Sequence, residues 1–390
     1  MSRHNTAEGS IVSRAHDLAI SMYGSEIGYK RHELVTPALI LDVEVVRENL
    51  ALMAERMKRS PSKLRAHIKV HKSPDIARMQ IEAGAIGIGT ATLWEGIVIA
   101  RSGIKDVFVI NEVVGSEKTQ AAALLAREVS LKVAVDDPEN VKELSNAAQK
   151  TGSVIGCMVE VDTGMHRCGT TSPEETLALA RQITELPGLR FDGLTGYEGH
   201  CSQEFDGVKR EQMEQQAMKY LVGVADLIRK NGLVCAIVSA AGTGTWELTA
   251  NYPGVTEIQP GSYATMDSYH ARLEPRFKQA TTVLSTIISR RPTRIVTDAG
   301  AKTVGADLAV LRDYNYPVVR YDEEHGIFSI DNSCPLKVGD KVELSIGYTP
   351  FAVNYFDVYH VVEDDRVVDI WPIIPRGPGH GGLLNEFRSK

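Results

Sequence analysis

The sequence predicts an α/β chain: an eight-stranded β/α barrel of the TIM type with a second, C-terminal all-β domain. Three observations predict it. From about residue 64 to 263, short apolar runs alternate with longer amphipathic stretches, the pattern of parallel strands joined by crossover helices. Eight such runs in this span suit a closed barrel better than an open sheet. From residue 281 to 375 the helical period is lost, and strand-like runs are broken by Gly, Pro, Asn and Asp turns.

In chain order, residues 1–36 read as an N-terminal extension, helical in part. Residues 37–42 (Pro-Ala-Leu-Ile-Leu-Asp) form a strand before the first barrel unit and are expected to pair with the β domain. The barrel strands are expected at 64–70, 86–90, 107–111, 130–135, 155–162, 190–197, 235–240 and 255–259, where β-branched and aliphatic residues cluster. Helical spacing of apolar residues places helices at 74–83, 92–102, 117–127, 137–150, 173–186 and 209–231, with a weaker helical signal over 241–254. The barrel domain is set at 37–270 and the β domain at 271–390. Within the latter, strands are expected at 294–297, 327–330, 341–346 and 367–371.

Composition bounds the function. The chain has 390 residues, 43% of them hydrophobic, with a formal net charge of -7. No basic tract interleaved with aromatics is present, which argues against nucleic-acid binding. No run approaches the about 20 apolar residues of a membrane span. The N-terminal residues lack the apolar core of a signal peptide. The five cysteines (Cys157, Cys168, Cys201, Cys235, Cys334) are scattered, without a Cys-x-x-Cys pair. Reduced thiols in a cytoplasmic protein are therefore expected.

The chemistry is sought at the C-terminal ends of the barrel strands, where enzymes of this architecture keep their active sites. After the first strand come Lys69, His71 and Lys72. A lysine at a barrel mouth loses ammonium hydration, and its free amine can attack an aldehyde. Taken alone, the run also fits an edge strand with solvated basic side chains. After the fifth strand lies Asp162-Thr-Gly164-Met-His-Arg167-Cys168-Gly169. After the sixth lie Tyr197, Glu198, Gly199 and His200. The seventh is followed by Gly242-Thr243-Gly244-Thr245 and the eighth by Gly261-Ser262-Tyr263. Small residues after strands seven and eight let backbone N–H groups approach an anion such as phosphate. Gly242-x-Gly244 alone is also an ordinary turn, and His200 alone a structural histidine. The glycines of Ile86-Gly87-Ile88-Gly89 do not have nucleotide-fingerprint spacing.

These residues, in this order, carry a resemblance. The chain resembles the fold-type III pyridoxal-phosphate enzymes, the group of the alanine racemase barrel, and within it the D-threonine aldolase and D-serine dehydratase branch. The resemblance runs from about Thr36 to Trp371. It rests on Thr36-Pro37, Arg65-x-His67-x-Lys69-x-His71-Lys72, Asn111-Glu112, Val159-Glu160-Val161-Asp162-x-Gly164 and Arg167-Cys168-Gly169. It continues through Gly242-Thr243-Gly244, Gln259-x-Gly261-Ser262-Tyr263, Asp298-Ala299-Gly300 and Glu324-His325-Gly326. The resemblance implies that Lys69 forms the Schiff base with pyridoxal 5'-phosphate and that Arg167 contacts the cofactor's phenolic oxygen. Tyr197 would lie beside the pyridine ring, and Gly242, Thr243, Gly244, Gly261, Ser262 and Tyr263 would hold the phosphate. It further implies a homodimer and a small amino-acid substrate.

One departure stands out. Members of the aldolase and dehydratase branch carry a metal in the C-terminal domain, on a His followed two residues later by Cys or Asp. Anchored on Val353-Asn354, those positions are Tyr348 and Pro350 here. Proline offers no ligand, and a neutral phenol is a poor one. The branch's histidine after strand six falls at Gln203, with His200 three residues earlier. No divalent metal is therefore expected, unless His360, His380 or the pair His200 and Cys201 serves instead. The resulting expectation is a metal-independent lyase, aldolase or dehydratase, acting on a small D-configured β-hydroxy-α-amino acid. Lys69, with His200 or Tyr348, would move the protons. An amino-acid racemase using Lys69 and Tyr348 as opposed bases is the alternative. A non-catalytic pyridoxal-phosphate-binding protein is the third.

Overall fold

A computed structural model describes residues 9–305, 309–379 and 383–387. Eight parallel strands close into a barrel: β2 (Lys63–His67), β3 (Gly87–Thr90), β4 (Asp106–Glu112), β5 (Ser130–Val135), β6 (Ile155–Glu160), β7 (Leu189–Thr195), β8 (Ile237–Ala240) and β9 (Glu257–Ile258). Closure is made by β2 on β9, with Lys63 opposite Glu257 and Leu64 opposite Ile258. The eight-stranded barrel matches the expectation strand for strand, with ends that differ by a few residues.

The important difference is in β2. The expected strand ran to residue 70, but β2 ends at His67. The chain then turns, with the His71 and Lys72 amides both donating to the Ile68 carbonyl at 3.1 and 2.7 Å. Lys69 thus sits on a turn beyond the strand end. The next helix, α3 (Pro74–Glu82), starts on a Ser73 cap with proline in its first turn, both standard entry signals. The weak helical signal over 241–254 resolves into one short helix, Trp246–Ala250, because the glycine-rich residues before it form a turn.

The β domain is a nine-stranded sheet. Its central strand is β1 (Ala38–Asp42), which pairs antiparallel with β10 (Thr281–Arg291) and parallel with β16 (Val358–Glu363). The early strand therefore belongs to the sheet of the C-terminal segment. An N-terminal helix, α1 (Ile11–Tyr23), buries Val12 and Ala19 against the rest of the molecule.

The interior of the barrel is held by ions. Arg65 on β2 is only 2% exposed, and its Nε and Nη2 meet the Glu257 carboxylate at 2.9 and 3.2 Å. Its Nη1 reaches Asp106 at 2.6 Å, and Lys132 Nζ meets the same carboxylate at 3.1 Å. Above this layer Ser239 donates to Glu257, while Gln259 donates to Ser239 and Thr195. A buried charge costs little only when paired and hydrogen-bonded, and here the pairing ties β2, β4, β5, β8 and β9 together.

Candidate active site

The lysine turn is braced from several sides. The Lys69 amide donates to His67 Nδ1 at 3.2 Å. Burial, with Lys69 next, pushes the His67 pKa well below the usual imidazole value, so its ring is neutral. Tyr359 of β16 donates its hydroxyl to the His71 carbonyl at 2.8 Å. Lys72 Nζ is consumed by Glu95 at 2.8 Å and the Pro375 carbonyl at 3.0 Å. Lys69 Nζ, by contrast, has no hydrogen-bonding or ion-pair partner among the described residues and lies 5.4 Å from the centroid of the Tyr197 ring. Burial, and then the Arg167 charge, lower the Lys69 pKa, the direction that frees an amine nucleophile.

Tyr197 gathers two cations. The Arg167 guanidinium lies 5.6 Å from the same ring centroid and 3.5 Å from Glu160. Burial, then Glu198, raises the Tyr197 pKa, so the phenol stays neutral.

The two glycine-bearing turns meet. The Tyr263 amide donates to Thr243 Oγ1 at 3.2 Å. A Cβ on Gly261 would lie 2.5 Å from the His67 carbonyl oxygen, and one on Gly242 3.1 Å from the Tyr197 ring. Glycine at these two positions is therefore what lets the turns, the lysine strand end and the tyrosine ring converge. Behind the first turn sits fully buried Glu198, which accepts the Ala241 amide at 3.1 Å and the hydroxyl of Thr245. Thr249 Oγ1 lies 3.3 Å from Glu198 and 2.9 Å from Glu214. A hydroxyl has one proton and cannot donate to two carboxylates. Burial, with the Glu198 charge adding to it, pushes Glu214 up to about 7.

Of the expected site residues, Tyr263 is turned away from the turns. The Tyr263 ring is 1% exposed, packs edge-on to Phe277 at 5.7 Å, and takes the Gln80 amide on its hydroxyl at 3.2 Å. Its phenol faces the core, so only its backbone borders the turns. His200 lies against Gly164, with Nε2 3.6 Å from Cys201 Sγ and Nδ1 without a partner. No hydrogen bond or ion pair joins it to Lys69 among the described residues. Tyr348 does reach this end of the barrel within its own chain. Its ring stacks on His270 at 5.7 Å and meets Tyr269 edge-on at 6.4 Å.

Sequence reasoning missed His270 and Asp267. Asp267 is fully buried; its Oδ1 accepts both the His270 amide at 2.7 Å and His270 Nδ1 at 2.8 Å. Its Oδ2 accepts the Thr349 amide at 3.2 Å. An acid three residues before a histidine, just after Gly261-Ser262-Tyr263, was the available signal.

The residues at the positions that the resemblance assigns to the branch's metal suit one poorly. Pro350 has no ligand atom, and the Tyr348 ring is packed among aromatics. His360 is engaged by Glu26 at 2.7 Å and faces the Leu39 carbonyl at 3.4 Å, inside the sheet. His380 lies outside the described residues. Among those described, one group of three could hold an ion: Glu112, Asp136 and Cys168, whose ligand atoms lie within 4.8 Å of one another. Burial and the carboxylates around it push the Cys168 thiol up to about 11.

Comparison with known proteins decides the family. The alanine racemase N-terminal domain matches residues 41–269, and a putative serine dehydratase domain matches 280–362. The chain is 34% identical to D-threonine aldolase of Arthrobacter sp over 351 residues, 88% of this chain and 93% of the relative. This chain belongs to the alanine racemase-like, fold-type III family. It is also 32% identical to 3-hydroxy-D-aspartate aldolase of Paracoccus denitrificans, over 92% of this chain and 98% of that one. The crystal structure of D-threonine aldolase from Filomicrobium marinum superposes with a TM-score of 0.87 at 32% identity, covering 90% of this chain and 98% of that chain. D-threo-3-hydroxyaspartate dehydratase from Delftia sp. shares the fold, with a TM-score of 0.82 at 22% identity, covering 89% of this chain and 99% of that one. The family depends on pyridoxal phosphate, and the residues fit that group: a lysine amine without a partner, a neutral aromatic ring beside it, and two small-residue turns brought together by a hydrogen bond.

Proposed function

We propose that this chain is a pyridoxal-phosphate-dependent aldolase that cleaves a small D-configured β-hydroxy-α-amino acid to glycine and an aldehyde. The observation that carries the reading is the Lys69 amine, unpaired beside Tyr197 while its neighbour Lys72 is fully engaged. The aldolases among the relatives, at 34% and 32% identity, favour C–C cleavage over the dehydration done by a relative at 26%.

In this reading Lys69 would hold the cofactor, and its lowered pKa would let its amine act as a base. The cofactor, when bound, supplies an electron sink for the bonds at the substrate Cα. Arg167 would hold its anionic phenolic oxygen, and Tyr197 would keep a neutral face against its ring. The backbone of Gly242, Thr243, Gly244 and Gly261 and the hydroxyls of Thr243 and Ser262 would receive its phosphate. Tyr348 moves the proton of the substrate hydroxyl, with His200 as the other candidate. At positions 348 and 350 no metal role is assigned, since proline offers no ligand atom and a neutral phenol is a poor ligand.

A homodimer in a reducing, cytoplasmic setting completes the proposal. The five cysteines are free, four of them buried, in keeping with such a setting. No helix among the described residues is long and apolar enough to cross a membrane. The test is an incubation with D-threonine and with 3-hydroxy-D-aspartate. Release of glycine and an aldehyde supports the proposal. Release of ammonia and a keto acid would make it a dehydratase, and a change of optical rotation alone a racemase. Sedimentation as an active monomer would remove the dimer.

A further inference from the structure

The two turns that would receive the phosphate present neutral groups: backbone amides and the hydroxyls of Thr243 and Ser262. A buried phosphate dianion without a counter-charge is costly. Lys69 and Arg167 lie on the Tyr197 side. Arg272 stacks on Phe205 at 3.7 Å, and Arg276 is held by Glu274 and Glu247. Among the described residues an imidazole does border the turns. His270 Nε2 lies 3.4 Å from Ser262 Oγ, and Ser262 is buried.

The groups packed around His270 suit an imidazolium. Its Nδ1–H donates to the fully buried Asp267 carboxylate at 2.8 Å, which fixes Nε2 toward Ser262. Its flat face stacks on Tyr348 at 5.7 Å, and Tyr269 closes the edge at 5.4 Å. Asp267 is the charged group packed on it; Tyr269 and Tyr348 are phenols. An electron-rich ring face stabilises a cation against it.

The direction of the Ser262 bond completes the argument. A neutral imidazole, protonated at Nδ1, would accept the single Ser262 hydroxyl proton at Nε2. An anion between the turns needs that proton. With Nε2 protonated the bond reverses: His270 donates to Ser262 Oγ, and Ser262 donates to the anion.

We propose that His270, charged and oriented by Asp267 and stacked on Tyr348, is the cationic wall of the phosphate cradle. The proposal rests on the pyridoxal-phosphate reading and adds a residue to it. It also gives Tyr348 a purpose beside proton transfer: at the position of the branch's metal ligand, this chain has an aromatic platform for an imidazolium. His270 is a positioning residue here, acting on the cofactor's phosphate through Ser262.

The test separates the phosphate from the rest of the cofactor. Full-length apoenzyme, wild type and His270→Gln, is titrated with pyridoxal 5'-phosphate and with pyridoxal, which lacks the phosphate. Glutamine keeps a donor but not the charge. The variant is expected to weaken pyridoxal-phosphate binding about 10- to 100-fold, the scale of one charge-assisted hydrogen bond, and to leave pyridoxal binding unchanged. The phosphorus resonance of the bound cofactor should also move. Equal weakening of both ligands, or of neither, overturns the proposal. If the wild type binds neither ligand, the functional reading itself falls.

Discussion

Lys69 Nζ lies 5.4 Å from the centroid of the Tyr197 ring, on a turn that the strand does not reach. The amine therefore faces an aromatic surface, no carboxylate among the described residues pairs with it, and burial works against its ammonium form. Lys69→Ala is expected to abolish covalent retention of the cofactor and its visible absorbance. Borohydride reduction followed by peptide mapping checks the site; an adduct on Lys72 would refute it.

Arg167 shares that ring, with 47% of its side chain exposed and Glu160 at 3.5 Å. A fixed cation there tunes an anionic oxygen and anchors little. Arg167→Leu should change the cofactor spectrum and slow turnover more than it weakens binding. Parallel absorbance, rate and affinity measurements decide it, and an unchanged spectrum and rate would remove Arg167 from the site.

Activity should survive prolonged dialysis against EDTA and gain nothing from manganese or zinc, since Tyr348 and Pro350 offer no ligand pair. Tyr348→Phe should cost turnover roughly 10²–10⁴-fold if the phenol moves the hydroxyl proton. Loss on chelation, restored by a divalent ion, would direct attention to Glu112, Asp136 and Cys168.

Arg65→Leu should be strongly destabilising. The arginine is 2% exposed, and removing it leaves Glu257, itself 3% exposed, without its cation. Breaking a buried pair from one side costs about 3–5 kcal/mol, readable in urea unfolding. A loss within experimental error would show that the interior network is dispensable.

Glu214 holds its proton to about pH 7 in the folded chain, against about 4.3 in an unfolded one. Between those values the folded state binds the extra proton, so its stability falls as pH rises through this window. Glu214→Gln should flatten the slope and raise the melting temperature above neutrality. Melting curves from pH 5 to 8, a span of about three units chosen to bracket the shift, test it; parallel curves for both proteins would contradict it.

The barrel was legible because eight runs of branched aliphatics recur between amphipathic stretches, and a period of that kind survives in a single sequence. Lys69, Arg167 and Tyr197 were legible because each follows a strand, where this architecture places chemistry. Local pattern failed where contacts are long-range. Nothing local to Tyr263 shows that its phenol turns to Gln80, far away in the chain, and away from the mouth. Asp267 and His270 fall outside any strand or helix of useful length, and their meaning comes from Ser262 and Tyr348. The end of β2 was misplaced because Val70 and Ile68 look like strand residues; both are buried in the turn instead.

The central position of β1 in its sheet sets an order of events during synthesis. Leu39 pairs with Val283, and Ile40 with His360, so the strand must wait for the whole barrel to be made before either neighbour exists. Throughout that time it is a bare hydrophobic edge, the kind of segment that chaperones bind and aggregates recruit. The barrel, whose strands pair with near neighbours in the chain, can assemble first. Truncation before Val358 should therefore leave β1 without its parallel neighbour and harm recovery of folded protein.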